Sequence, residues 1–577
     1  MGKRKEFEIL GAQLDQEFST FKTHYQDLAD FILPRRAQFT LTDTNRGDRR
    51  NLKIIDSTGS SAAGTLRAGL MANVTSPARP WFKLTSPNPV LQENDSVKQW
   101  LDDTTRELNR IFLKSNIYNV LPIVYGDLGV FQTGCMFIDE DAEECLRCYA
   151  FPIGSYRIAN DEKGRVRVFM RDFRMTVRQL IAKFGYDSGE EKTKENIHWE
   201  RFSTMVKSAH DQGSMETWVD VRHFVTPNDE HDPRKLESKY KAFYSCYYER
   251  GCGNLTATAY TDDNAEKFLE EKGYDYFPVL APRWEVTGAD SYGTDGPGMR
   301  ALGDIKSLQL MHKRMSQGVE KQINPPMVAS NAMKNQRSSI VAGDITYVPD
   351  LGASGNGFRP AIEVKPDLAG MSVVIQDTRA QIKKAFYEDL FLMLSNLTRR
   401  EMTATEVDVR QEEKLLALGP VLEQLNQDLL DPTIDIGFFL ALKQGRLPEP
   451  PPELAGADLK VEYISVMAQA QKLVALNAVE RFFGGAERIV AANPESKDKL
   501  DYDQMIDEYA DILSVRSRIV RSDADVEKIR KQRAKRMQEQ AQMENVERMS
   551  VAAKNLAAAP MDGDNALTQI TSGDAVA

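Results

Sequence analysis

The sequence predicts a mainly α-helical protein with an α+β portion in its N-terminal half. Apolar residues recur at helical spacing towards both ends, and between Gly134 and Trp284 the period falls to two. The chain has 577 residues, more than one core needs, so several subdomains are expected.

Phe7, Leu10, Leu14, Phe18, Phe21, Tyr25 and Leu28 space a first helix, which Pro34 stops. Residues 56–71, rich in Ser, Ala and Gly with Leu66 and Leu70, suit a closely packed helix. Three prolines then turn residues 76–87. Trp100, Leu101, Leu108 and Ile111 mark a helix over 97–112.

Short strands follow at 135–139, 146–151, 156–159 and 166–173, with a hairpin turn at 160–164. Thr176 caps a helix closed by Gly185. A second strand set runs through 218–224, 242–249 and 277–284.

Past residue 290 the chain turns helical. Leu302, Ile305, Leu308, Met311 and Met315 build a helix over 299–323, which Asn324, Pro325 and Pro326 end. A Gly/Pro-rich insert over 327–366 carries strands near 340–348, and one helix is expected over 368–394. Thr403 and Glu406 fit a capping box opening a helix to about residue 444, kinked where Pro420 and Pro432 remove hydrogen bonds. More helices follow from Tyr463, ending in a charged one over 523–554, and a small, polar tail from Ala557 is expected to be disordered.

Composition narrows the function classes. Hydrophobic residues make up 41% and charged residues 28%, as in an ordinary folded protein, and no apolar run reaches bilayer length. Lys3, Arg4 and Lys5 open the chain with charge and no apolar signal follows, so folding in the cytoplasm and no membrane partner are expected. Five cysteines are too few and too oddly numbered for a disulfide framework. The net charge of −11 disfavours tight phosphate binding.

Catalytic and cofactor signals are weak throughout. Cys145 and Cys148 have the spacing of half a zinc site, but no second pair or His motif completes it, so strand packing is the plainer reading. The glycines at 293, 296 and 298 lack the Lys-Ser/Thr of a phosphate-binding loop and read as a flexible helix entry. The acidic run Asp139, Glu140, Asp141, Glu143 and Glu144 reads as a solvated turn, with a divalent-ion site as the rival. The six histidines form no helical i, i+4 pair. No cofactor, no metal and no enzymatic activity are expected.

Several strings in one order carry a resemblance: Leu70-Met-Ala-Asn-Val-Thr-Ser-Pro-Ala-Arg-Pro-Trp-Phe82, Tyr292-Gly-Thr294, Leu302-Gly-Asp-Ile-Lys-Ser-Leu308 and Asn324-Pro-Pro326. Further on come Thr403-Ala-Thr-Glu-Val407, Glu412-Glu-Lys414, Leu418-Gly-Pro-Val-Leu422 and Tyr463-Ile-Ser-Val-Met-Ala-Gln-Ala-Gln471. Their colinear order over roughly residues 1–555 resembles the portal proteins of short-tailed bacteriophages, the head-to-tail connector family.

That resemblance implies a phage portal fold with an α+β wing, a two-helix stem, a clip, a channel loop and a helical crown, assembled as a ring, usually a dodecamer. By sequence order the wing would occupy 1–298, the stem helices 299–326 and 367–395, and the clip 327–366. The channel loop would span 396–402, a kinked wing helix and return 403–459, the crown 460–556 and the tail 557–577.

It further implies a virion protein at one capsid vertex, assembled in the host cytoplasm, through which duplex DNA passes transiently during packaging and ejection. Major capsid and scaffolding proteins, a terminase packaging motor and a tail adaptor would be partners. Another capsid-associated adaptor, or a metal-dependent hydrolase, is the alternative.

Three sets of residues become candidates. Ile340, Val341, Ile345, Tyr347 and Val348 in the insert cannot be buried by one chain alone and would lie under neighbours or docking partners. Asn396, Thr398, Arg399 and Arg400 would form the channel loop, where the two arginines either touch phosphate transiently or stay solvated. Lys528, Arg530, Lys531, Arg533, Lys535 and Arg536 form a basic cluster, read as a solvated helix face or as a contact with DNA or internal proteins. Twelve copies would carry 12 × −11 = −132 charges, so acidic walls would keep a duplex centred and mobile.

Overall fold

The computed structural model describes residues 3–42, 47, 49–88, 91, 94–187, 189, 191, 193–235, 237–251, 267–288, 290–324, 327–328, 359–360, 367–397, 418–454, 459–464, 482, 484, 486, 488, 493, 501, 503–506 and 523–557. The chain divides into one unit of residues 1–87 with 99–475 and another of residues 88–98 with 476–577.

The first unit opens with α1 (Lys3–Phe31), whose buried stripe includes Leu14, Phe18, Tyr25 and Leu28. Next comes α2 (Thr58–Asn73), where small residues allow close approach: a Cβ on Gly69 would stand 2.2 Å from the Phe391 ring. After β1 (Phe82–Thr85) and α3 (Asp95–Lys114), which belongs to this unit from Gln99 on, α4 (Ile117–Phe131) is buried over most of its surface. Its apolar residues run on all sides, so the period that marks a surface helix is missing there.

Nine strands and helices then build the α+β portion. They are β2 (Met136–Asp141), β3 (Cys145–Ala150), β4 (Tyr156–Asn160), β5 (Val166–Thr176), α5 (Val177–Phe184), α6 (Thr204–Asp211), β6 (Trp218–Pro227), β7 (Phe243–Glu249) and β8 (Glu270–Tyr274). A short β9 (Val279–Leu280) follows. Strands β4-β5-β6-β7-β8 form one antiparallel sheet, and β3-β2-β9 form a second.

The two strand sets separated in the sequence therefore mix, because β5 pairs with β6. One face of the larger sheet packs Met170, Phe224, Cys246 and Tyr248 against Leu14 of α1. Near its other end Val219, Val221 and Tyr247 pack against Leu180 and Phe184 of α5. Thr176 caps α5 in a capping box with Gln179. Gly185 closes that helix at φ −77, so close packing beside Ile181, and not a left-handed turn, sets the glycine.

The helical part begins with α7 (Pro297–Ile323), followed by the short pair β10 (Met327–Val328) and β11 (Arg359–Pro360). Then come α8 (Leu368–Ala385) and α9 (Glu388–Leu397). The single helix expected over 368–394 is thus two. Tyr387 takes a left-handed φ of 56 beside the Trp284 ring, centroids 6.0 Å apart, and Phe386 is fully buried. Burying these aromatics outweighs one more helical turn, a balance that periodicity does not register.

Next, α10 (Gly419–Leu425) runs through a π-helical turn at Asn426–Leu430 into α11 (Asp431–Lys443). Pro432, which lacks an N–H, sits at the start of α11, where the loss of that donor is tolerated. The capping box expected at Thr403 and Glu406 lies outside the described residues. Finally β12 (Lys460–Tyr463) pairs with β1 across nearly four hundred residues of chain, Phe82 opposite Tyr463.

In the second unit α12 (Asp523–Ala557) has 35 residues, and its described side chains are almost all exposed. Among the described residues the chain is mainly helical with small antiparallel sheets, the architecture expected in outline.

Candidate functional site

Three places with chemical potential can be built from the residues upward: the acidic hairpin, the root of the α7/α8 pair, and α12.

The hairpin between β2 and β3 holds the acidic run. Asp141 accepts the backbone N–H groups of Glu143 and Glu144 at 2.8 Å each, and these bonds hold its carboxyl below the usual range. Glu140 receives Lys443 at 2.6 Å, and Asp139 receives Lys272 at 3.3 Å. Arg446 donates to the carbonyls of Ala142 and Glu143 at 3.2 Å. The turn is therefore stapled to the end of α11, and the carboxylates of Asp139, Glu140 and Asp141 have cationic or amide partners.

Cys145 and Cys148 are buried free thiols. Burial raises both, Cys148 up to about 12, which keeps it protonated and a poor metal ligand. Among the described residues no group of His, Cys, Asp or Glu is arranged to hold a metal ion. The glycines before α7 serve packing. A Cβ on Gly293 would meet the Gln132 carbonyl oxygen at 2.2 Å, and one on Gly298 would meet that of Val130 at 2.3 Å.

At the root of α7 and α8, four polar side chains converge just ahead of α2. Asp56 is buried and receives Arg379 Nη2 at 2.6 Å, with His312 Nε2 at 3.1 Å. Gln309 Oε1 accepts the amides of Ile55 and Asp56 at 2.7 and 2.8 Å, and its Nε2 donates back to the Asp56 carbonyl at 2.9 Å. Burial pushes the Asp56 carboxyl upward, but hydrogen bonds from Thr58 and Arg379 outweigh it and leave the group below its ordinary value.

This cluster pins both helices to one backbone turn. It escaped sequence reading because Asp56 stands more than two hundred and fifty residues from the other three and the four form no motif. Outward from the root, Leu310, Ile323, Val373 and Val374 expose apolar surface.

The candidates named from sequence fall unevenly. Asn396 lies in the last turn of α9. Thr398, Arg399 and Arg400 lie outside the described residues, as do Ile340, Val341, Ile345, Tyr347 and Val348. All six bases of the third set stand on α12 and are exposed. Lys528 pairs with Asp525 at 3.2 Å, Lys531 with Glu527 at 2.8 Å, and Arg530 with Asp503 at 2.6 Å.

The comparisons with known proteins decide the family. The model of the bacteriophage head to tail connecting protein family matches residues 4–520. This chain belongs to that family. The connector chain is 44% identical over 97% of its length to the portal protein of Salmonella phage epsilon15, covering 96% of that protein. It is 40% identical, with the same coverage, to the probable portal protein of Bordetella phage BPP-1. A chain of the virion of a native gene transfer agent particle matches at TM-score 0.32 and 11% identity, over 76% of this connector and 86% of that chain, too loosely to carry an argument.

Proposed function

We propose that the chain is a portal subunit that closes with identical copies into a ring at one capsid vertex. The observation that carries this reading is the near-full-length identity of 44% to a named portal protein. The ring, a dodecamer on this reading, is a conduit for DNA during packaging and ejection. It is a structural part of the virion and supplies no catalytic group. Translocation energy comes from a separate terminase motor, and a tail adaptor later takes the motor's place, while capsid and scaffolding proteins hold the ring in the shell.

Residues 1–298 are the wing, and 299–326 with 367–395 the stem. The clip occupies 327–366, the channel loop 396–402, the kinked return 403–459 and the crown 460–556, followed by the tail 557–577. The exposed Leu310, Ile323, Val373 and Val374 support side-by-side packing of stem helices, since apolar positions outside a chain's own core are what neighbouring copies cover. Among the described residues no helix is long and apolar enough to cross a membrane.

Negative-stain imaging of the purified full chain tests the reading. The expected result is a closed annulus with an axial hole wide enough for duplex DNA. A chain that stays monomeric under all assembly conditions, or closes without a hole, overturns it.

A further inference from the structure

On α12 six bases stand within the nine residues Lys528–Arg536, on a chain whose net charge is −11. Three of them are neutralised by Asp525, Glu527 and Asp503. Arg533, Lys535 and Arg536 have no ion pair among the described residues, and all three are exposed.

At 3.6 residues per turn, these three side chains fall within an arc of about 160° around the helix. Arg530, which grips Asp503 with bonds of 2.6 and 2.8 Å, points about 140° from the middle of that arc. The free bases therefore share the side of α12 turned away from Asp503. Like charges spaced three apart, as in Arg533 and Arg536, cost a helix a few tenths of a kcal/mol per pair. Glu539 falls in the same arc but forms no ion pair with these bases among the described residues, so an external anion would offset that cost.

We infer that this face of α12 is a docking surface for the sugar-phosphate backbone of duplex DNA. Duplex DNA carries one negative charge per about 1.7 Å of its axis, and the three bases lie within about 4.5 Å along the helix, so they can face neighbouring phosphates. The surface is one exposed helix face with no aromatic side chain among the three bases, so it engages phosphate in place of base edges. The helix begins after residue 520, where the match to the family model ends. The inference rests on the portal reading for the presence of DNA beside the ring.

The test is fluorescence anisotropy of the full chain with a short mixed-sequence duplex, titrated at several salt concentrations, with ring closure imaged on the same samples. Three neutralised phosphates contribute about −2.7 to the slope of log affinity against log salt. The triple variant R533Q/K535Q/R536Q is expected to lose about that much slope, and affinity at low salt should fall by more than about tenfold. R533K/R536K should keep the slope, and R548Q, on the opposite side of the helix, should leave it unchanged.

A triple variant that closes into a ring and keeps the wild-type slope overturns the docking face and leaves the portal reading intact. A wild-type chain that forms no ring overturns the portal reading whatever its slope. Loss of slope in R548Q as well would also overturn the inference, because the effect would then be one of net charge.

Discussion

Arginine does opposite work in the sheet and on α12. Arg222 of β6 is almost sealed from solvent at 3% side-chain exposure. It donates to both carboxylate oxygens of Asp172, at 2.6 and 2.9 Å, and to Glu8 of α1 at 3.1 Å. A Cβ on Gly11 would stand 2.6 Å from its guanidinium, so α1 approaches the sheet where a glycine leaves room. On α12, Arg533 and Arg536 stand exposed with no ion pair among the described residues. A buried guanidinium needs its carboxylates because its desolvation is uncompensated without them, whereas an exposed one keeps its hydration until a partner displaces it. Position in the fold, and not residue type, separates the charge that holds this protein together from the charge left for others.

The largest expected effect lies in the sheet. Arg222→Ala leaves Asp172 and Glu8 short of their partner, at a cost of about 3–5 kcal/mol. Urea unfolding followed by circular dichroism checks this, and a change below about 1 kcal/mol would erase the contrast drawn above.

Asp56→Asn should come next, at about 2 kcal/mol, because it weakens charge-assisted bonds from Arg379 while keeping the side chain's shape. Its pH dependence has a definite sign. The folded carboxyl sits below its free value of 3.8, so its stabilisation is present above that pH and is lost as pH falls through the lower, folded value. Stability of the wild type and of Asp56→Asn should therefore converge as the medium is acidified below about pH 4. Curves that stay parallel there would remove Asp56 from the set of charges that hold the fold.

The smallest effect belongs to α12. Arg533→Ala should move stability by no more than about 0.5 kcal/mol in the same unfolding measurement. A larger loss would mean that the face is occupied within the protein itself.

How much of this was readable in advance differs by element. Period, capping and proline placed α1, α2, α7 and α5, since those signals are local and the helices are amphipathic or punctuated. The wholly buried α4 left no such period, and it was not anticipated. Alternation located most strands, yet it is indifferent to partner. The joining of β5 to β6, and of β1 to β12, depends on which faces meet once the chain has collapsed. The basic cluster on α12 could be named from sequence, but which three of its bases remain unpaired could not, because Asp503 is brought to Arg530 only by folding.

Family membership, the succession of helical and strand-rich segments and the acid balance of the chain were thus determined by the sequence alone. They rest on residue identity and short-range spacing, which a linear chain already contains. The composition of the two sheets, the break at Tyr387, the latch on Asp56 and the free face of α12 were decided only in three dimensions. Each depends on contacts between residues distant along the chain, whose free energy exists only after their desolvation and packing.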